Sequence, residues 1–154
     1  VGQFEIPMNV NEQVFSYAYK NGVKTVINQA PANKPSDILL QNTSWFIPNE
    51  IEFEEIYGDI FNENNLLLFA KNVDTNVVVT LGEKGCAYIE NNSVKIIKAD
   101  SVKAIDTTGA GDAFVGAFSF ALASKLDIEE CLKLALKKAT DSVTKKGTQS
   151  SYKN

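Results

Sequence analysis

The sequence contains no histidine and only two cysteines. Without histidine, a Ser-His-Asp or Cys-His hydrolase is excluded, so any general base must be a carboxylate, a lysine, a tyrosine or a cysteine. A zinc site of the usual Cys/His type is not expected either. Cys86 and Cys131 stand far apart, in a predicted strand and a predicted helix. They are typical of buried thiols in a reducing compartment rather than of a disulfide framework.

The sequence also lacks a basic excess and a long hydrophobic run. A net charge of −4 and a pI near 4.9 argue against a nucleic-acid partner. The longest apolar runs, such as residues 66–70, are far too short to cross a bilayer. No secretory segment opens the chain. We therefore predict a cytoplasmic protein with no membrane or nucleic-acid partner.

Short β-rich segments alternate with helical ones, which is typical of an α/β sheet. Strands are predicted at residues 1–6, 23–27, 44–47, 76–81, 86–89, 94–97 and 102–105. Helices are predicted at about residues 9–21, 49–57, 63–73, 110–124 and 128–145. Asn91 and Asn92 lie between the fifth and sixth strands, where they predict a hairpin at the sheet edge. The pattern shows no repeat, linker or second domain.

The first predicted helix carries Val10, Val14, Tyr17 and Ala18 on one apolar face. Asn9 or Asn11 is expected to cap its N-terminus. The second helix is expected to begin after Asn49 and to end at Gly58.

A glycine-rich stretch, Asp106 to Asp112, precedes the apolar helix at 110–124. The small residues Gly109, Ala110 and Gly111 predict an anion hole, because backbone N–H groups at a helix start are unpaired and the helix dipole favours negative charge. Asp112 has two interpretations: a carboxylate that stabilises the first turn, or a base that takes a proton from a hydroxyl attacking a phosphoryl group.

Two other phosphate-binding motifs are excluded by inspection. A dinucleotide fingerprint needs a third glycine, and Phe114 stands at that position. The Walker pattern G-x-x-x-x-G-K-[ST] is absent from the sequence. A Rossmann-type oxidoreductase is therefore disfavoured.

Asp-Thr-Thr-Gly-Ala-Gly-Asp followed by Ala-Phe-Val-Gly-Ala-Phe is very similar to the C-terminal signature of the ribokinase-like (PfkB) carbohydrate kinases. The resemblance implies a three-layer αβα, Rossmann-like fold, with a mostly parallel sheet and an antiparallel hairpin edge. It also implies that residues 1–154 form one C-terminal nucleotide-binding and catalytic portion. The family's N-terminal part and sugar lid are missing, so the chain is expected to be an incomplete fragment that is inactive alone.

The resemblance assigns a role to several residues, beginning with Asp112 as catalytic base beside the anion hole. Glu5, in Val-Gly-Gln-Phe-Glu-Ile-Pro, corresponds to a sugar-contacting glutamate, and Asp112 is a second sugar contact. Asn28 corresponds to a nucleotide-contacting asparagine, although Gln29 replaces the proline common after it. Nucleotide contacts are further implied for Thr80, Leu81, Gly82, Glu83, Lys84, Gly85, Gly111 and Asp112.

Two metal sites are implied as well. Pro48-Asn49-Glu50-Ile51-Glu52 resembles the family's N-x-x-E motif, which assigns Asn49 and Glu52 to Mg²⁺. Because Mg²⁺ usually keeps several waters, the contact from Glu52 can be indirect, through a bound water. The same pair also fits a capping box, and both roles are compatible. The implied K⁺ ligands are Asp106, Thr108, Ser142, Lys145, Gly147 and Ser151.

The implied function is ATP-dependent phosphorylation of a small sugar hydroxyl, with D-ribose converted to ribose 5-phosphate as the first expectation. ATP, Mg²⁺ and K⁺ are the implied co-substrate and ions, and the full-length protein is expected to be a homodimer. Kinases of adenosine, fructose or another small metabolite are alternatives, as is a non-catalytic nucleotide-binding remnant. Leu136 replaces a polar residue that some members place against adenine, which leaves nucleotide preference open.

Overall fold

The computed structural model describes residues 1–152, so residues 153 and 154 of the predicted catalytic portion lie outside the described residues. Within that range, the strands form one mixed sheet in the order β1-β2-β3-β4-β5-β6. The strands are β1 Gly2–Gln3, β2 Val26–Asn28, β3 Trp45–Ile47, β4 Asn76–Thr80, β5 Cys86–Glu90 and β6 Ser93–Ile97. The helices are α1 Met8–Lys20, α2 Asp37–Gln41, α3 Glu50–Tyr57, α4 Glu63–Val73, α5 Ala110–Ala123 and α6 Ile128–Val143.

The first four strands are parallel neighbours. Asn28 lies opposite both Gln3 of β1 and Ile47 of β3, so the carboxyl ends of these strands meet at one edge of the sheet. The central residues of β4, Val77–Val79, are all buried. A continuous buried run is what a parallel strand covered on both faces requires. The predicted mostly parallel α/β sheet is confirmed.

The predicted hairpin is also confirmed. β5 and β6 are adjacent in the sheet and are separated only by Asn91 and Asn92. The φ angles of these residues are 49° and 60°. Positive φ at both central residues defines the type I′ turn, whose twist matches that of the flanking strands.

The chain divides into two compact units. The first comprises Val1–Leu81 with Ala87–Lys95, and the second comprises Gly82–Cys86 with Ile96–Asn154. The core of the first unit includes an aromatic cluster in which the ring of Phe53 stacks on Tyr57 and meets Phe61 and Phe69 edge-on. The second unit buries one face of α5 against α6. Its fully buried side chains include Phe118, Cys131, Leu132 and Ala135.

The N-terminal segment departs from its prediction. β1 covers only Gly2–Gln3, because the chain turns at once and the Ile6 N–H donates to the Gln3 carbonyl at 3.3 Å. Pro7, and neither predicted asparagine, occupies the N-cap of α1. Asn11 is instead buried, and its amide nitrogen donates to the carbonyls of Gln3 at 2.8 Å and Ile6 at 3.3 Å. The asparagine therefore ties the helix to the turn that precedes it.

The apolar stripe predicted on α1 is not its buried face. Val10, Val14 and Tyr17 are 41%, 57% and 73% exposed, whereas Phe15 and Asn11 are buried. Asn11 can lie on the buried face because its amide donates to two carbonyls, so its polar group is not left without partners.

Two further segments differ from expectation. Residues 102–105 form no strand, since their side chains are exposed and the Ile105 N–H donates to Val143 O, at the end of α6, at 2.7 Å. The short helix α2 was not predicted. Its N-cap is Ser36, whose hydroxyl accepts the Leu39 N–H at 3.2 Å.

Both cysteines are free and buried, as predicted. Burial raises the pKa of the Cys86 thiol to about 12. Among residues 1–152, no helix combines the length and apolar character needed to cross a membrane.

Candidate active site

The start of α5 is built around Gly109, which occupies the N-cap with a left-handed φ of 79°. The Gly109 carbonyl accepts the Ala113 N–H at 2.9 Å, which closes the first helical turn. A Cβ at this position would lie 2.5 Å from the Tyr152 hydroxyl oxygen and 3.1 Å from Thr148 Cγ2. Both the backbone angle and the close packing of the C-terminal segment therefore require glycine here.

The predicted anion hole is partly engaged by the protein itself. The Ala110 N–H donates to the Thr107 carbonyl at 3.2 Å. Gly111 stands at the second helical position, where no carbonyl one turn earlier lies within the helix. A Cβ on Gly111 would meet nothing within 4 Å. The Cβ side of Gly111 is thus uncovered, and the positive end of the helix dipole at this position favours an anion.

Asp112 follows in the first turn and is exposed. It lines an open cavity of about 560 Å³ within the second unit, together with Lys138, Lys145 and Tyr152. Most of the remaining lining is apolar and comes from α5 and α6. With Asp141, the lining therefore includes two aspartates and two lysines. Lys138 and Tyr152 were not identified as site residues from the sequence. Lys138 lies on α6, whereas Lys145 lies just after the end of that helix.

Asp106 joins the segment before α5 to the segment after α6. Its Oδ1 accepts the Thr108 N–H at 3.0 Å, and its Oδ2 accepts the Gly147 N–H at 2.9 Å. Hydrogen bonds from the Thr108 side chain, then from the Thr108 and Gly147 backbones, lower the pKa of Asp106 to about 2. The carboxylate is therefore charged throughout the physiological range.

The residues of the implied K⁺ site come together at this end of the second unit. The Ser142 carbonyl accepts the Lys145 N–H at 3.3 Å, and Lys145 Nζ donates to the Ser151 carbonyl at 3.2 Å. A carboxylate with several carbonyls is a donor set that suits a hard cation. The Lys145 ammonium, however, already donates to one of these carbonyls, that of Ser151.

In the first unit, Asn28, Asn49 and Thr80 lie at the carboxyl ends of β2, β3 and β4. Asn49 pairs with Thr80, whose N–H donates to the Pro48 carbonyl at 3.0 Å, so the sheet edge continues past its named strands. Glu5 is exposed in the turn that follows β1. In parallel sheets ligands bind outside such carboxyl ends.

Asn49 and Glu52 form a complete capping box at the start of α3. Asn49 Oδ1 accepts the Glu52 N–H at 2.8 Å, and Glu52 Oε2 accepts the Asn49 N–H at 2.7 Å. Burial raises the pKa of Glu52, against the lowering effect of the Asn49 N–H. The Oε1 atom takes no part in the box and is suited to a metal-bound water.

The loop after β4 holds the remaining predicted nucleotide contacts. Leu81 is buried, whereas Gly82, Glu83 and Lys84 are exposed in a 3₁₀ turn. Gly85 has a φ of 109°, and a Cβ there would collide with the Ile97 carbonyl. Among residues 1–152, no group of three or more acidic or cysteine side chains could hold a metal ion. An ion bound here would rely on phosphate oxygens and water.

The predicted site residues are thus divided between the units. The first unit gathers Asn28, Asn49 and Thr80 along one sheet edge, with Glu52 bonded to Asn49. The second gathers Asp112 and the implied cation ligands around the start of α5.

Comparison with known proteins identifies carbohydrate kinases by family model and by sequence identity. The model of the pfkB family carbohydrate kinases matches residues 3–154. Ribokinase from Haemophilus influenzae is 41% identical over 97% of this chain and 50% of its own length. Deoxyribokinase from Salmonella typhimurium is 35% identical over 97% of this chain and 51% of its own length.

A solved structure shares the fold. The structure of Arabidopsis thaliana ribokinase complexed with ribose and ATP is 29% identical and superimposes with a TM-score of 0.89, over 97% of this chain and 50% of that one. The chain spans about half the length of the relatives it matches. Because the family model covers nearly all of the sequence, the chain belongs to the pfkB family of carbohydrate kinases.

Proposed function

We propose that this chain carries the nucleotide-binding and catalytic part of an ATP-dependent kinase that phosphorylates a hydroxyl of ribose. The observation that carries the proposal is the exposed carboxylate of Asp112, in the first turn of α5 directly after Gly109 and Gly111. Related proteins named ribokinase, and the Arabidopsis thaliana ribokinase complexed with ribose and ATP, support this substrate pair.

The Asp112 carboxylate takes the proton of the sugar hydroxyl as its oxygen attacks the γ-phosphorus of ATP. The new O–P bond forms while the bond between the γ-phosphorus and the bridging oxygen breaks, and ADP leaves. The Gly111 N–H and the helix dipole stabilise the charge on the transferring oxygens. Asp112 thus serves as the base, and the backbone of α5 serves as the electrostatic partner.

The cations of this chain that can assist are lysines, because the sequence has no arginine among its 15 basic residues. Lys138 and Lys145 line the cavity with Asp112. An arginine finger, which many phosphoryl-transfer enzymes use, is therefore absent from this chain. We assign the role of offsetting phosphate charge to these lysines and to bound Mg²⁺.

The proposed ion sites follow the donor atoms described above. Mg²⁺ would be held near Asn49 and Glu52 through water, and would supply positive charge to the ATP phosphates. K⁺ would be held by Asp106 and its neighbouring carbonyls, where it would supply positive charge behind the start of α5. The full-length protein is proposed to be cytoplasmic and to form a homodimer. Analytical sedimentation would test the homodimer.

Deoxyribose is the second candidate substrate, since a deoxyribokinase is 35% identical to this chain. Adenosine, fructose and a non-catalytic nucleotide-binding role are further alternatives. Apart from the base, Glu5 is the sugar contact proposed for this chain. These two contacts do not distinguish ribose from deoxyribose, fructose or adenosine.

The test has two arms. The isolated chain is titrated with MgATP and assayed for ADP release, and we expect weak binding and no sugar-dependent turnover. The chain is then fused behind the half of the Haemophilus influenzae ribokinase that it does not match, and assayed with ribose, deoxyribose, fructose and adenosine. Ribose-stimulated ADP release by the fusion is expected. A folded fusion that responds to none of these acceptors would contradict the proposed function.

A further inference from the structure

The hydroxyl of Tyr152 donates a hydrogen bond to the Gly109 carbonyl at 2.7 Å. The same carbonyl accepts the Ala113 N–H at 2.9 Å. One donor comes from within α5 and the other from the segment after α6, so the carbonyl is held from two directions. Since the peptide unit is planar, fixing this carbonyl also fixes the Gly109–Ala110 peptide plane at the helix start.

The segment that carries Tyr152 is itself attached at several points. The Gly147 N–H donates to Asp106 Oδ2 at 2.9 Å, and the Ser151 carbonyl accepts from Lys145 Nζ at 3.2 Å. The Ser151 side chain is buried, and its hydroxyl donates to the Thr148 carbonyl at 2.6 Å. These bonds restrict the tyrosine, so its hydroxyl loses little freedom when it pairs with Gly109.

Tyr152 also belongs to the cavity that contains Asp112. Its hydroxyl donates to the Gly109 carbonyl at 2.7 Å, so the proton of the phenol is directed at the backbone. A hydroxyl that donates to a backbone carbonyl near the base, and does not compete with the base for the substrate proton, is suited to orienting the backbone.

We propose that Tyr152 is a positioning residue of the kinase site: its hydroxyl fixes the Gly109–Ala110 peptide plane and so sets the first turn of α5, which presents the next amide, the Gly111 N–H, to the transferring phosphate. This inference rests on the proposed function, because it assigns Gly111 to the anion hole. Tyr152 acts through the backbone and takes no proton.

The experiment uses the whole 154-residue chain labelled with ¹⁵N. Tyr152→Phe removes the donor and keeps the ring, and Tyr19→Phe removes the hydroxyl of an exposed tyrosine in the first unit as the matched control. The amide signals of residues 110–113 are recorded without ligand and during titration with inorganic phosphate. Tyr152→Phe is expected to shift these amides in the free chain. It is also expected to weaken phosphate binding about fivefold, the loss typical of one hydrogen bond. Tyr19→Phe is expected to do neither.

The outcomes separate the two proposals. A wild-type chain whose Gly111 amide does not respond to phosphate overturns the anion hole, and with it any role for Tyr152 in orienting it. If wild type binds phosphate and Tyr152→Phe binds it equally well, Tyr152 is merely structural and the anion hole stands. Unmoved amides at residues 110–113 in free Tyr152→Phe would also overturn the positioning role.

Discussion

The carboxylate of Asp106 accepts a hydrogen bond from the backbone N–H of Gly147, 41 residues later in the chain. With the bond from Thr108 to its other oxygen, this contact closes the segment before α5 against the segment after α6. Asp106, the predicted K⁺ ligand, is thus a structural link between these two segments.

This link predicts a pH dependence of stability. The pKa of Asp106 is lowered from 3.8 to about 2 in the folded chain. Its contribution to folding is therefore complete above the ordinary pKa and is lost as pH falls through about 2. Urea unfolding of wild type and Asp106→Asn should show a difference at pH 6 that shrinks on acidification. A difference that grew as the pH fell would contradict this assignment.

Asp112→Asn tests the base in the fusion protein. Removing a general base typically lowers the rate by about 10²–10⁴-fold. We expect such a fall in kcat with ATP affinity close to normal, measured by steady-state kinetics and ATP titration. Asp100→Asn, an exposed aspartate of the same unit, should leave kcat unchanged. A loss below tenfold in Asp112→Asn would count against Asp112 as the base.

The capping box of α3 predicts a loss of stability on truncation. Asn49→Ala removes the side-chain acceptor of the Glu52 N–H. Loss of such a cap costs about 1 kcal/mol of the free energy of unfolding, whereas aspartate caps nearly as well as asparagine. Chemical denaturation should therefore rank wild type and Asn49→Asp together above Asn49→Ala. Equal stability of all three would show that the box contributes nothing.

Phe118 and Phe120 stand two residues apart on α5 with opposite environments. Phe118 is fully buried, whereas Phe120 is 67% exposed. Phe118→Ala should cost about 3–5 kcal/mol of unfolding free energy, since it removes buried area and leaves a cavity. Phe120→Ala should change it by about 0.5 kcal/mol or less. Comparable losses in the two variants would mean that Phe120 is covered in solution.

The two thiols should be inert in the native chain. Cys86 and Cys131 are both fully buried, and the pKa of Cys86 is raised to about 12. The thiolate is the reactive form, so burial and protonation both oppose attack on an aromatic disulfide reagent. We expect no rapid labelling in buffer and two labelled thiols in denaturant. One fast-reacting thiol in the native chain would contradict this packing.

Local signals predicted what depends on local interactions. The helix between Asn49 and Gly58 was predicted at both ends, because its capping box and left-handed glycine involve only neighbouring residues. The hairpin at Asn91 and Asn92 was predicted for the same reason. The start of α5 was likewise predicted from the glycine-rich residues 109–112.

Contacts between distant segments were not predictable in this way. The buried face of α1 includes Asn11, whose amide donates to the carbonyls of Gln3 and Ile6, and hydrophobic periodicity does not reveal these contacts. Residues 102–105 have the composition of a strand, but the Ile105 N–H donates to Val143 at the end of α6. Tyr152 was overlooked because its bond to Gly109 spans 43 positions of the chain.

The sheet ends at β6, whose composition has a consequence for association between molecules. The strand reads Ser-Val-Lys-Ile-Ile, and Lys95 at its centre is exposed. A terminal strand of β-branched residues is a template on which a second molecule can add its own strand, and a central lysine charge opposes that growth. The Lys95 ammonium thus places at the centre of this edge the kind of charge that flanks or interrupts aggregation-prone strands.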